Sequence, residues 1–158
     1  MSRVSTCLWF GKEAEAAVRF YISLVPDSAI NTIQHAPAAL PGSEAGDVLL
    51  IDFRLGGQSF QALNGGVPAD YGTAASIVVL CADQAEVDRL WSALTANGGS
   101  ANMCGWLRDR WGVPWQIIPE ALPRLLASHD PAVSARVFAA MQRMAKLDVA
   151  VLEHAAEG

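Results

Sequence analysis

RFYISL at Arg19–Leu24 and RLWSAL at Arg89–Leu94 are one helical phrase written twice, 70 residues apart (19 to 89). A second pair follows them. GQSFQAL at Gly57–Leu63 and GVPWQII at Gly112–Ile118 share glycine, then after two residues an aromatic, a glutamine and two apolar residues, 55 apart (57 to 112). The shorter second offset reflects a longer loop after the first helix. Two copies of a helix-then-strand unit at this spacing mark a duplicated module, neither half of which closes a sheet around a core alone.

Working outward, Val4–Phe10 is β-branched and aromatic and reads as a strand that Gly11 hands over to KEAEAAVRFYISL, with Ala14, Ala17, Phe20, Tyr21 and Leu24 at helical spacing. Pro26 ends that helix. SAINTIQ is a short strand, residues 36–46 form a loop broken by Pro37, Pro41, Gly42 and Gly46, and DVLLIDFRL with QSFQALN makes a hairpin through Gly56 and Gly57. Gly65, Gly66 and Pro68 close the first half. ASIVVLCA then opens the second, followed by a helix with Asp83 as its N-cap, Glu86 three residues on, and Gly98 or Gly99 at its end. SANMC, GWLRDRW and VPWQIIP repeat the strand order of the first half. Beyond Pro119 the chain turns helical: EALPRLLAS, then Asp130-Pro131 as the start of AVSARVFAAMQRMAKL, whose stripe of Val133, Val137, Met141 and Met144 is expected to pack against the sheet or a second subunit. The expected architecture is α+β: one domain over residues 1–158, with a first module at about 3–66, a second at about 74–119, and a helical tail at about 120–155.

Composition narrows the partners. The chain has 158 residues, 52% apolar and 17% charged, with a net charge of −5, and its 11 basic residues are scattered rather than clustered. Nucleic-acid binding is not expected, because it relies on clustered Lys and Arg. No apolar run approaches the roughly eighteen residues of a membrane span, and MSRVSTCLWF lacks the apolar core of a secretory signal, so no membrane partner and a cytoplasmic location are expected. Cys7, Cys81 and Cys104 form no C-x-x-C pair and no even set. Cys7 and Cys81 lie in apolar strands and read as free buried thiols. Cys104, beside Gly105 at a strand start, is the candidate nucleophile, although no adjacent histidine is available to make thiolate.

CLWFG at 7–11, AEAAVRFYISLVPDS at 14–28, QALNGG at 61–66, EVDRLWSAL at 86–94, CGWLRDRWGVPWQIIP at 104–119 and RVFAAMQRM at 136–144 together resemble the PhnB-like family of the vicinal oxygen chelate superfamily, often given a 3-demethylubiquinone methyltransferase name. The resemblance implies a glyoxalase-like fold of paired βαβββ modules curving around a cleft, commonly in homodimers. The methyltransferase name has no counterpart in the residues. The glycine pairs Gly56-Gly57, Gly65-Gly66 and Gly98-Gly99 sit at hairpins, a helix end or a connecting loop, not in the strand-to-helix turn of a nucleotide-type site.

In metal-using members of the superfamily, the first and last strands of each module supply one ligand each. Residue matching puts those positions at Thr6, Gln61, Ser76 and Gln116. Hydroxyls and neutral amides neither offset a divalent charge nor bind it as carboxylate or imidazole does, so no metal and no cofactor are expected, and His35, His129 and His154 read as solvated surface residues. Period-two alternation places Thr6, Leu8 and Phe10, Ser76, Val78 and Leu80, and Gln61 with Leu63 beside Gln116 with Ile118 on the concave face. Phe60, Ala62, Trp115 and Ile117 then lie beneath the helices. The expected ligand-binding set is Thr6, Leu8, Gln61, Asn64 at the rim, Ser76, Gln116 and Cys104, and the expected ligand is a small apolar or amphipathic molecule, since each Gln both donates and accepts. Trp106 and Trp111, flanking Arg108, Asp109 and Arg110, read as an amphipathic strand. Three functions remain open: a metal-free binding or accessory protein, an enzyme of the superfamily, and an oligomeric interaction module using the helical tail.

Overall fold

A computed structural model describes residues 3–158. The chain divides into two compact units, one ending at Asp70 and the other spanning Tyr71–Gly158. In the first, β1 (Thr6–Phe10) leads to α1 (Ala14–Leu24), followed by β2 (Ala29–His35), β3 (Val48–Leu55) and β4 (Gln58–Asn64). The second runs β5 (Ile77–Cys81), α2 (Gln84–Thr95), β6 (Ser100–Ala101), β7 (Trp106–Arg108) and β8 (Pro114–Pro119). Three helices end it: α3 (Ala121–Leu126), α4 (Pro131–Met141) and α5 (Val149–Glu157).

Both units build the same four-stranded sheet, in the orders β1-β4-β3-β2 and β5-β8-β7-β6. The first strand pairs in parallel with the last, and the remaining neighbours are antiparallel. A parallel pair needs a crossover, which α1 and α2 supply. In the first unit α1 lays Ala14, Ala17, Val18 and Tyr21 against Ile51, Phe53, Phe60 and Ala62, all buried, with Phe53 and Phe60 stacked 5.4 Å apart. Small residues at 14 and 17 let the helix approach closely. In the second, Val87, Leu90 and Leu94 of α2 meet the sheet that carries Leu107, Trp115 and Ile117.

Local signals in the sequence account for the helix ends. Asp83 Oδ1 accepts from Glu86 N at 2.9 Å, while the Glu86 carboxylate turns back to Ala82 N, one residue before the usual position of a capping box. Asp130 caps α4 ahead of Pro131, and Asp148 caps α5.

The tail is a small helical layer around buried Leu122, Val137, Leu147 and Leu152, with Ile118, Val133, Met141 and Met144 packed on it. The Val and Met stripe is therefore core. Polar contacts attach this layer to the second module, among them an ion pair of Lys146 with Asp88 on α2. Gln84 uses both ends of its amide, accepting from Val149 N at 2.8 Å and donating to Leu147 O at 3.2 Å. Cys104 N and Gly105 N donate to Met144 O and Ala145 O at 2.7 and 2.8 Å.

The stretch read as one amphipathic strand from Trp106 to Trp111 is instead strand and turn. β7 stops at Arg108, and Asp109 is only 2% exposed. Its carboxylate accepts from Trp111 N, Val113 N and Trp115 Nε1, so the charge holds the hairpin from inside.

Candidate functional site

Each sheet has one face under its helix and one face open. Residues paired across two strands point to the same side, so register decides which residues belong to the open face. In the second module Val78 lies opposite Gln116 and Leu80 opposite Ile118, while Trp115 and Ile117 are buried. Ser76, Val78, Leu80, Gln116 and Ile118 thus share the open side, and Val78 and Leu80 are 52% and 56% exposed.

The first module differs from the reading by alternation. Leu8 pairs with Ala62, and Thr6 with Phe60, both on the helix side, where Leu8 and Phe10 are buried. The open positions on β1 are Cys7, opposite Gln61, and Trp9, opposite Leu63. Thr6 and Leu8 are therefore corrected to the covered face. The cause is one extra residue between β1 and α1: Gly11, Lys12 and Glu13 separate them, where only Ala82 and Asp83 separate β5 from α2. The helices are 70 residues apart, but the strands match at 71 (Cys7 to Val78), and an error of one residue exchanges the faces of a strand. The same slip explains why Cys7, expected to be buried, is exposed, whereas Cys81 is buried as expected.

A polar row crosses the open face of the first module, in the order Cys7, Gln61, Asp52, Thr32. Gln61 Nε2 donates to Asp52 Oδ1 at 2.8 Å, and Thr32 Oγ1 donates to Asp52 Oδ2 at 2.9 Å. A carboxylate only accepts, which fixes the amide orientation of Gln61 and leaves its carbonyl to the open side. Partial desolvation against the sheet, and then the neighbouring Asp52 charge, raise the Cys7 thiol above its ordinary pKa. Leu50 and Leu63 pair in the adjacent row. In the second module Gln116 donates to Ser76 Oγ at 2.8 Å and lies between Val78 and Trp106. Gln61 and Gln116 thus occupy matching positions with different partners.

Asn64 is a structural joint. Its carbonyl caps Ala14 N at 2.9 Å, and its NH2 donates to Val48 O at 2.9 Å, which ties α1 and β3 to the end of β4. The following Gly65 is required by a close approach, because a Cβ there would sit 1.8 Å from the Trp9 ring, whose Nε1 donates to Val67 O at 2.8 Å. Cys104 lies in a turn with φ of 61°, where the backbone bond to Met144 O holds it. Asp52, Thr32, Cys7 and Trp9 are open-face residues absent from the set that alternation assigns. The signal for Asp52 was present, since an acid inside VLLIDF is out of place in a strand centre.

The fold can also be tested against the groups it would be asked to hold. At the four metal positions Gln61 and Gln116 are neutral and bonded to side chains, Ser76 accepts from Gln116, and Thr6 lies on the other face. The nearby Asp52 has an acceptor site on each oxygen taken, and no three His, Cys, Asp or Glu side chains converge among the described residues. This donor set does not fit a divalent ion. A nucleotide-type cofactor needs free N–H groups at a strand-to-helix turn, yet α1 has Asn64 on Ala14 N and α2 has Asp83 on Glu86 N. Those turns do not fit S-adenosylmethionine either.

Residues 2–118 match the family described as 3-demethylubiquinone-9 3-methyltransferase. The structure is similar to that of the PhnB protein from Bacillus cereus, at 32% identity and TM-score 0.67, covering 75% of this chain and 99% of that one. It is also similar to protein PA1353 from Pseudomonas aeruginosa, at 20% identity and TM-score 0.61, over 76% and 98% of the two chains. A glyoxalase/bleomycin resistance protein from Albidiferax ferrireducens T118 matches at 20% identity and TM-score 0.47, over 75% and 99%. No curated protein matches the sequence. Helices α3 to α5 lie beyond the matched residues, so the stretch 136–144 is outside the match.

Proposed function

Since the chain belongs to the 3-demethylubiquinone-9 3-methyltransferase family, in the PhnB-like, glyoxalase-fold branch of the vicinal oxygen chelate superfamily, we propose that it is a binding or accessory protein that takes a small apolar or amphipathic molecule onto its open sheet faces. One observation carries this reading. Gln61 and Gln116 stand at the same register position of two uncovered faces, each beside apolar side chains, Leu63 and Leu50 in one module and Val78, Leu80 and Ile118 in the other. An amide among apolar neighbours orients a ligand through one or two hydrogen bonds while the neighbours supply contact area.

We further propose a homodimer in the cytoplasm that uses no bound metal. The dimer is supported by β5, a strand that ends its sheet and leaves a backbone edge for pairing. The exposed free thiol of Cys7 suits a reducing compartment. No helix among the described residues is long and apolar enough to cross a membrane.

The test is a thermal-shift and tryptophan-fluorescence screen of small amphipathic molecules, alongside metal analysis of untagged protein prepared without chelator. We expect hits that Gln61→Ala and Gln116→Ala each weaken about tenfold, the size of one hydrogen bond of roughly 1.4 kcal/mol. Near-stoichiometric metal, or hits indifferent to both substitutions, would overturn the reading.

A further inference from the structure

The carboxylate of Asp52 points to a narrower ligand class. Asp52 is half-buried in the middle of β3, on the open face, with Leu50 and Arg54 as its same-face neighbours along the strand. Aspartate is depleted at such positions, because a pleated, half-buried surface favours β-branched and aromatic residues. The fold does not demand it. The matching position in the second module, opposite Gln116, is occupied by Trp106.

The carboxylate is oriented but not neutralised. Thr32 and Gln61 each donate one hydrogen bond to it, and both are neutral. A carboxylate has about four acceptor sites, so two such bonds fix its plane and leave capacity for a further donor. The nearest cation along the strand, Arg54, is committed elsewhere, with Nη2 on Asp27 Oδ1 at 3.0 Å and Nε on Asp27 O at 3.3 Å. No Lys or Arg pairs with Asp52 among the described residues. A negative charge at the edge of a low-dielectric surface attracts a cation more strongly than it would in open water.

We propose that this face recognises a protonated amine on a small amphipathic molecule, with the ammonium on Asp52 and the Gln61 carbonyl, and the apolar body along Leu50 and Leu63. The inference rests on the reading that the open faces bind a ligand. An ammonium is donor-only, and both atoms it would meet here are acceptors, which makes the site selective as well as attractive. An anionic ligand would be repelled, and an alcohol would form a hydrogen bond without the charge.

Isothermal titration at neutral pH and low salt, using 2-phenylethylamine, 2-phenylethanol and 3-phenylpropanoate as probes, decides the matter. We expect the amine to bind at least tenfold more tightly than the alcohol, and the carboxylate to bind most weakly. In Asp52→Asn, which keeps the shape and one acceptor, the preference for the amine over the alcohol should disappear. Equal binding of amine and alcohol to the unaltered protein would overturn the amine inference and leave the binding reading standing. Failure of all three to bind would overturn both. The amine-to-alcohol ratio of the unaltered protein needs no variant, so the test survives if Asp52→Asn does not fold.

Discussion

The two modules share a strand order and diverge in what holds each together. In the first, β2 and β3 are seven and eight residues long, and the hairpin from β3 to β4 turns on Gly56 and Gly57, at φ of 54° and 80°. That is the two-residue turn whose twist matches the strands, so the hairpin closes without a buried charge, and Gly56 N donates outward to Ser28 Oγ. In the second, β6 and β7 have two and three residues, and the hairpin turns on the buried Asp109. The segment ahead of β7 donates its Cys104 and Gly105 N–H groups to the tail. One copy of the module is thus closed by its own strands, while the other relies on a buried charge and an added helical layer. Duplication preserved the topology and left each copy to find its own stabilisation.

The largest expected effect tests the hairpins. Asp109→Ala removes the acceptor for the buried Val113 N and Trp115 indole and for the part-buried Trp111 N. Each orphaned donor costs roughly 1–3 kcal/mol, so we expect the second unit to lose about 3 kcal/mol or more in urea unfolding. The corresponding change in the first module, Gly56→Ala, forces a side chain into left-handed backbone at only about 1–2 kcal/mol. Equal losses from the two variants would mean that the hairpins are not stabilised differently.

A smaller effect is expected at Gln84. Gln84→Ala unties both Val149 N and Leu147 O from α2, which is worth roughly 1–3 kcal/mol. Hydrogen exchange should then quicken over residues 144–152 while the first module keeps its protection. Unchanged exchange would show that the tail is held without Gln84, by the apolar cluster around Leu147 and Leu152 and the remaining polar contacts.

These contrasts also show what the sequence could and could not convey. The paired phrases at 19 and 89, and at 57 and 112, revealed the duplication and the helix ends, because caps and hydrophobic periods are local. Gln61 and Gln116 lie on the open faces that alternation assigns them, since the offset of 55 holds along β4 and β8, although β3 and β7 differ by 54. Thr6 and Leu8 were placed wrongly because the offset of 70 belongs to the helices, and the three-residue link at Gly11–Glu13 shifts the strand by one. Periodicity carries no absolute phase, so only pairing across strands reveals such a slip. The partners of Asp52, Asn64 and Asp109 were illegible for a different reason. Their hydrogen bonds join residues brought together by the sheet and the turns, and composition along the chain does not report them.

The smallest effect turns on two thiols. Cys81 is buried, and burial with the nearby Glu86 charge pushes its pKa up to about 12 from an ordinary value of 9.0. Above pH 9 an unfolded chain would release this proton while the folded chain keeps it, so the stability Cys81 contributes is complete below pH 9 and drains away as pH rises toward 12. Cys7 is solvent-accessible in the polar row, and its pKa is raised first by partial desolvation against the sheet and second by the Asp52 charge. Iodoacetamide at pH 8 should therefore label Cys7 slowly and leave Cys81 untouched until the protein unfolds. Asp52→Asn removes only the second cause, so we expect Cys7 labelling to quicken a few-fold and no change at Cys81. An unchanged rate at Cys7 would mean that the Asp52 charge is already screened where the thiol meets it, and that outcome would weaken the amine site built on the same charge.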